Sequence, residues 1–174
     1  MVKTGEVLRT ARVRLRFIEK RDLDDILAIY SDPLCMRYYK ALRTRERMQE
    51  WFDFVFAAYE ANGYGLFAVE RLSDGVFLGI CGFLQQDVDG DALVEIGYLF
   101  KSMHWHRGYA SESAIACRDY GFNVLKQPKL ISLIRPENAP SRAVSTRVGM
   151  TVERTTQRVG WTHLVYSINA PSGG

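Results

Sequence analysis

Leu93-Val94-Glu95-Ile96-Gly97-Tyr98-Leu99-Phe100, followed closely by Trp105-His106-Arg107-Gly108-Tyr109-Ala110, is the stretch on which the reading of this chain turns. Its first part is a mostly apolar run of strand length with a carboxylate set inside it. A polar connector, Lys101–His104, leads to the turn, and a helical pattern opens near Ala110. Ala110, Ala114, Cys117 and Gly121 recur along that helix at helical spacing, a stripe of small residues that lets it lie close on a sheet. Gly108 falls where the helix's first N–H groups lack intrahelical partners. It can take a positive φ, and having no Cβ it lets a ligand approach the backbone. Free N–H groups and the positive end of the helix dipole together make a phosphate cradle. The stretch therefore predicts a strand, turn and helix around a pyrophosphate site.

Two common phosphate signatures are absent. No glycine pair precedes Lys-Ser or Lys-Thr at Walker A spacing, and Gly108 stands alone where a dinucleotide fingerprint needs three glycines. A lone glycine is equally well explained by a tight strand–helix turn, so the rest of the chain must decide.

Downstream, Leu130–Ile134 is a short apolar strand, so Leu93–Ile134 reads as strand, helix, strand and calls for a right-handed parallel crossover. Pro136-Glu137-Asn138-Ala139-Pro140 opens a helix that runs through Val148 and stops at Gly149. Thr151–Gln157 and Trp161–Ile168 form a closing antiparallel pair. Upstream, Val13, Leu15 and Phe17 alternate with Arg12, Arg14 and Arg16, which reads as a strand with a solvated basic face. Asp22–Asp25 starts a short helix carrying Leu23, Ile26, Leu27 and Tyr30. A second helix, capped by Thr44, has an aromatic face of Trp51, Phe52, Phe56 and Tyr59 around Val55. Leu66–Glu70 and Val76–Phe83 are strands, and Asp89-Gly90 turns a hairpin into the central strand. The predicted architecture is α/β: one domain over residues 1–170, with a mixed, mostly antiparallel sheet, a central parallel βαβ unit and flanking helices. Residues 171–174 are expected to be a frayed tail.

Composition narrows the function. The 174 residues are 47% hydrophobic and 25% charged with a formal charge of +3, which is neither a disordered chain nor a strongly basic nucleic-acid binder. The cysteines Cys35, Cys81 and Cys117 offer no metal-ligand spacing, and Cys117, on the small-residue stripe, reads as a buried hydrophobe. No apolar run reaches a membrane span and no signal-peptide pattern opens the chain, so the expected location is cytoplasmic.

The turn and its neighbours closely resemble the acyl-CoA signature of the GNAT acetyltransferase superfamily. That signature, Gln/Arg-x-x-Gly-x-Gly/Ala, maps onto Trp105, Gly108 and Ala110. Tryptophan at the first position and a Gly-Tyr-Ala core are similar to the RimJ/RimL branch, the ribosomal-protein N-acetyltransferases. Two more stretches resemble the same branch. Leu8-Arg9-Thr10-Ala11-Arg12-Val13-Arg14-Leu15-Arg16 looks like its opening motif. Asn138-Ala139-Pro140-Ser141-Arg142-Ala143-Val144, ending in Val148-Gly149-Met150, looks like its second cofactor motif.

The resemblance implies acetyl-CoA as co-substrate, no metal, and direct transfer to an amine without a covalent acyl-enzyme. It implies that the Tyr98 N–H points at the thioester carbonyl, with the Phe100 backbone further along the pantetheine arm. It also puts the backbone amides of His106, Arg107, Gly108, Tyr109 and Ala110 on the pyrophosphate; the family usually has glycine where His106 stands. Asn138 and Ser141 suit hydrogen bonds to the pantetheine amides, or equally a helix N-cap and first turn. Many members carry a tyrosine acid seven positions after that asparagine. Here the position is Ser145, so Ser141 is the substitute acid, unless water protonates the thiolate. His104 and His163 carry no signal of their own.

An alkyl amine is protonated at pH 7, so some group must take its proton. Glu95, set among apolar neighbours where burial would raise its pKa, is the candidate base; otherwise it pairs with an arginine or faces a hydrated groove. Tyr38 and Tyr39, with the start of the Thr44 helix, are expected to receive the acceptor. The predicted function is an acetyl-CoA-dependent N-acetyltransferase acting on a protein or peptide N-terminal α-amine, with a ribosomal protein as a candidate acceptor, as a monomer or homodimer. The rivals are a small-molecule amine acetyltransferase, a non-catalytic acyl-CoA sensor, and an RNA binder using Arg12, Arg14, Arg16, Arg43, Arg45 and Arg47.

Overall fold

The computed structural model describes residues 4–40 and 44–171. Its elements are β1 (Glu6–Arg9), β2 (Val13–Phe17), α1 (Leu23–Tyr30), α2 (Arg45–Asn62), β3 (Leu66–Arg71), β4 (Phe77–Val88) and β5 (Asp91–Phe100). They continue with α3 (Tyr109–Asn123), β6 (Lys129–Ile134), α4 (Ala139–Val148), β7 (Thr151–Arg158) and β8 (Trp161–Asn169). One mixed sheet of 8 strands runs in the order β1-β2-β3-β4-β5-β6-β8-β7. The pair β5–β6 is parallel and the other neighbours are antiparallel. The βαβ crossover expected over Leu93–Ile134 is present.

The parallel pair is short. Only Val94↔Leu130 and Glu95↔Ile131 are in register, after which β5 stays with β4 to Phe100 while β6 stays with β8 to Ile134. The sheet therefore splits open just past Glu95. α3 lies over β4 and β5, and Gly121 is the reason it sits so close: a Cβ there would be 2.9 Å from Leu130 Cδ1 and 3.2 Å from Phe83 Cε1. Ala114 and Cys117 of the same stripe are fully buried, and Cys117 Sγ lies 3.7 Å from Cys81 Sγ. The buried-hydrophobe reading of Cys117 is correct.

Several expectations need correction. The arginines of β2 are not a solvated face. Arg16 is buried and bridges Asp22 and Glu70 at 2.7 and 2.6 Å, and Arg14 pairs with the same Glu70. Arg12 is tied to α3. Arg12, Arg14 and Arg16 are thus all engaged in ion pairs within the protein, which weakens the RNA-binding reading; Arg45 and Arg47 are exposed on α2, and Arg43 lies outside the described residues. Thr44 occupies the N-cap of α2, yet its side chain makes no capping bond. α4 begins at Ala139, not at Pro136, because the Asn138 side chain accepts from the Ser141 N–H and starts the helix there. β4 continues five residues past Phe83, to Val88.

That extra length has a consequence. The β4–β5 tip, Asp89-Gly90 with φ of 57° and 93°, meets alternate residues of β7. Arg154 donates to the Val88 carbonyl, Thr156 to Asp89 and Arg158 to the Asp87 carbonyl, at 3.2, 2.8 and 2.6 Å. Beneath lie Val88, Ile131 and Val165. Among the described residues, no helix is long and apolar enough to cross a membrane. Of the expected tail, residues 172–174 lie outside the described residues.

Candidate active site

The split in the sheet exposes one edge of β5. The Lys101 N–H bonds to the Leu78 carbonyl at 3.0 Å, so the odd-numbered end of the strand faces β4. The Ile96 carbonyl accepts from Ser132 Oγ at 2.8 Å, and the Phe100 carbonyl accepts from Trp105 Nε1 at 2.9 Å. Even-numbered residues therefore turn their backbone groups away from β4. Tyr98 stands between these two, so its N–H and carbonyl face the opening. Phe100 is a partial correction: its carbonyl is taken by Trp105 and by the Cys35 thiol, 3.3 Å away, leaving its N–H on the open side.

Glu95 sits at the fork itself. Its Oε1 accepts from the Leu133 N–H at 3.2 Å, a donor that a continued parallel ladder would have used. Its Oε2 accepts from Gln86 Nε2 at 2.6 Å. Only 9% of the residue is exposed. Burial pushes its pKa up; the Leu133 and Gln86 hydrogen bonds and the charge of Arg158 pull the other way without cancelling it. It does not pair directly with an arginine; its two oxygens are held by the Leu133 N–H and the Gln86 amide.

A cavity of about 120 Å³ opens at the fork, lined by Glu95, Tyr98, Tyr30, Tyr38, Tyr39 and Ser141 among others. Tyr39 is 47% exposed as a whole residue, while burial of its hydroxyl, and then Tyr30, Glu95 and Tyr98 around it, drive its pKa far up. Tyr38 and Tyr39 thus reach the same cavity as Glu95. The Tyr98 side chain turns toward α4, where its hydroxyl donates to the Ser141 carbonyl at 2.9 Å and lies 3.4 Å from Ser145 Oγ. Asn138 and Ser141 both line the cavity, and of the two roles weighed for Asn138 its carbonyl oxygen takes the helix cap.

The turn before α3 has the expected cradle shape. His106 and Gly108 both take left-handed φ, 60° and 81°, so the histidine adopts the conformation a glycine would hold most easily. The N-terminus of α3 starts at Tyr109. Arg12 donates to the Arg107 carbonyl at 3.0 Å and pairs with Glu112 in the first turn at 2.6 Å. Thr10 donates to the same carboxylate at 2.6 Å. Arg12 also covers the Tyr109 ring at 4.8 Å. His104 is buried among Arg71, Lys101 and Arg107; burial lowers its pKa first and these cations lower it further.

A strand pair that splits beside a buried carboxylate, a phosphate-type turn and a small-residue helix also occur together in a known family. The family model described as acetyltransferase (GNAT) domain matches residues 12–151. The chain belongs to the GNAT acetyltransferase family. As a GNAT acetyltransferase it is 37% identical over 152 residues to the uncharacterized protein YkkB of Bacillus subtilis (strain 168), covering 87% of this chain and 88% of that one. The structure superposes on an acetyltransferase from Agrobacterium tumefaciens str. C58 with a TM-score of 0.81 at 27% identity, covering 97% and 95% of the two chains. It also shares its fold with RimL, the ribosomal L7/L12 alpha-N-protein acetyltransferase in complex with coenzyme A, at a TM-score of 0.76 and 14% identity over 95% and 98%. The GNAT acyl donor is acetyl-CoA.

Three parts of this acetyltransferase's site escaped the sequence reading. Ser132 caps the freed Ile96 carbonyl, Gln86 holds Glu95, and Arg12 with Thr10 braces the turn. Only the last pair carried a signal, since both lie in the opening motif.

Proposed function

We propose that this acetyltransferase passes the acetyl group of acetyl-CoA directly to the α-amine of a protein or peptide N-terminus, with Glu95 as general base. The observation that carries the reading is the Glu95 carboxylate, buried in the fork of the sheet beside the outward-facing Tyr98 backbone. The residues fit the donor. The left-handed turn at His106 and Gly108, with the N-terminus of α3, presents N–H groups to a pyrophosphate. The edge of β5 that β6 leaves free offers backbone groups to the pantetheine arm.

Acetyl-CoA supplies an acyl group activated as a thioester. The Tyr98 N–H donates to the carbonyl oxygen as negative charge gathers there. Glu95 takes the proton of the attacking amine, a task that its raised pKa suits. The Ser141 hydroxyl, lining the same cavity, gives its proton to the sulfur as the C–S bond breaks and is itself reprotonated from solvent.

Two observations favour the N-terminal amine. An α-amine, with a pKa of ~8 against ~10.4 for lysine, is far more often neutral at pH 7, so a partly masked base suffices. Glu95 is the carboxylate in the cavity lining and Arg135 stands in the same wall, which offers a polyamine or aminoglycoside little to hold its further charges. RimL, on the same fold, carries an alpha-N-protein acetyltransferase name, which supports the same acceptor class.

Short peptides with free N-termini and N-blocked, lysine-containing counterparts, each with acetyl-CoA, test the proposal. Mass spectrometry should place the acetyl group on the free α-amine. Turnover confined to polyamines or aminoglycosides would overturn the peptide assignment.

A further inference from the structure

The geometry points to Arg158 and Gln86 as positioning residues that reach Glu95 from the opposite edge of the sheet. This rests on the reading of Glu95 as the base. Gln86 stands on β4, two residues beyond Leu84, the residue directly opposite Glu95. Arg158 closes β7, the strand at the far margin of the sheet. The Arg158 guanidinium forks across β4, with Nη1 donating to the Asp87 carbonyl at 2.6 Å and Nη2 to Gln86 Oε1 at 2.7 Å. Gln86 Nε2 then donates to Glu95 Oε2 at 2.6 Å.

The chain of bonds has one direction only. A guanidinium has donors and no acceptor, so it can bond only the oxygen of the Gln86 amide. That fixes the amide plane and leaves its NH₂ group to face Glu95. With the Leu133 N–H on the other oxygen, both carboxylate oxygens are held and the side chain has one orientation toward the cavity. Donors on a carboxylate favour its ionised form, so the same bonds keep a buried Glu95 able to act as a base. Without Arg158 the Gln86 amide can rotate and present its oxygen, which would repel the carboxylate. The groups that face Glu95 are Tyr30 and Tyr39 from beyond the sheet, Tyr98 on its own strand, Arg135 after β6, His163 on β8 and Arg158 on β7. Of these, Arg158 is the charged group connected to Glu95 through a hydrogen-bonded side chain.

The Glu95 titration can be followed directly by carbon-detected NMR of protein labelled at the glutamate side-chain carboxyls, with Glu95→Gln assigning the signal. Arg158→Met and Gln86→Leu should each move the Glu95 midpoint upward, on the order of one unit. Both should also lower kcat by ~10-fold with acetyl-CoA affinity kept. Arg158→Lys, which retains one donor, should recover part of both effects. A purely structural role for Arg158 would alter thermal stability in Arg158→Met and leave its Glu95 midpoint untouched, whereas Gln86→Leu removes the direct donor to Glu95 and moves the midpoint in either case. An unmoved midpoint in Arg158→Met overturns the relay. Turnover is measured on a panel of peptides, amino acids and polyamines. If Glu95→Gln loses turnover while the midpoints stay fixed, the relay fails and the base reading stands; native-like turnover by Glu95→Gln overturns the base reading and the catalytic part of the relay with it.

Discussion

Arg12 holds the backbone carbonyl of Arg107 at 3.0 Å across 95 residues of sequence. The same guanidinium pairs with Glu112, whose carboxyl burial would raise but which the Thr10 and Arg12 donors hold below the ordinary glutamate value. The turn before α3 is thus braced by the β1–β2 connection near the start of the chain. Arg12→Ala should weaken acetyl-CoA binding about 10-fold, the scale of a lost charge-assisted hydrogen bond. Calorimetry with CoA checks this, and an unchanged affinity would mean the turn holds its shape alone.

Gly108 has a φ of 81°, and a Cβ there would stand 3.3 Å from Arg12 Nη2. Gly108→Ala should therefore cost about 1–2 kcal/mol in backbone strain and disturb the brace. Gly108→Glu strains the turn in the same way and sets a carboxylate beside Arg12, within the loop proposed to hold the pyrophosphate. It should abolish CoA binding while circular dichroism still reports a folded protein.

Glu95→Gln should lower kcat by ~10²–10⁴ with little change in CoA affinity. Because burial raises the Glu95 pKa, wild-type activity should fall on acidification at a pH above the ordinary glutamate value of 4.5, and the variant should lose that limb. A pH–rate profile of both proteins decides it.

Arg16 stands between two carboxylates, Asp22 and Glu70, with all three side chains buried. Arg16→Met would leave Asp22 without its cation and Glu70 with Arg14 alone, and should destabilise the protein by about 3–5 kcal/mol in urea unfolding. Glu70 also sets an acid limit. Burial alone would raise its pKa, but Arg16 and Arg14 outweigh it and hold it low. Its contribution is therefore present above the ordinary value of 4.5 and is lost as the pH falls through the depressed folded value. Denaturation midpoints should drop below that point, less steeply in Glu70→Gln.

Local pattern carried the reading of the elements, and distance in sequence set its limits. The apolar run to Phe100, the stripe from Ala110 to Gly121 and the turn glycines Gly90, Gly108 and Gly149 each act through near neighbours, so their roles were legible. Glu95 was legible as a candidate because a carboxylate inside an apolar strand needs a reason. Its partners were not. Gln86 is an unexceptional strand residue, and Arg158 looks like any hairpin arginine until the topology folds β7 against the β4–β5 tip. The β2 arginines misled for the same reason, since alternation describes a solvated face and a face of buried ion pairs equally well.

The brace from Arg12 also bears on when, during synthesis, the protein acquires its site. The first strands leave the ribosome early, but the turn they hold is made much later, and Gln86 waits for Arg158 near the end of the chain. The cradle and the fork are therefore both joined across the whole chain, one from the front and one from the back. A nascent chain released before β7 lacks the donor that orients Gln86, whatever its sheet has already formed. Assembly of the site is thus tied to completion of the polypeptide, and fragments ending before residue 158 should be poor transferases even when they fold.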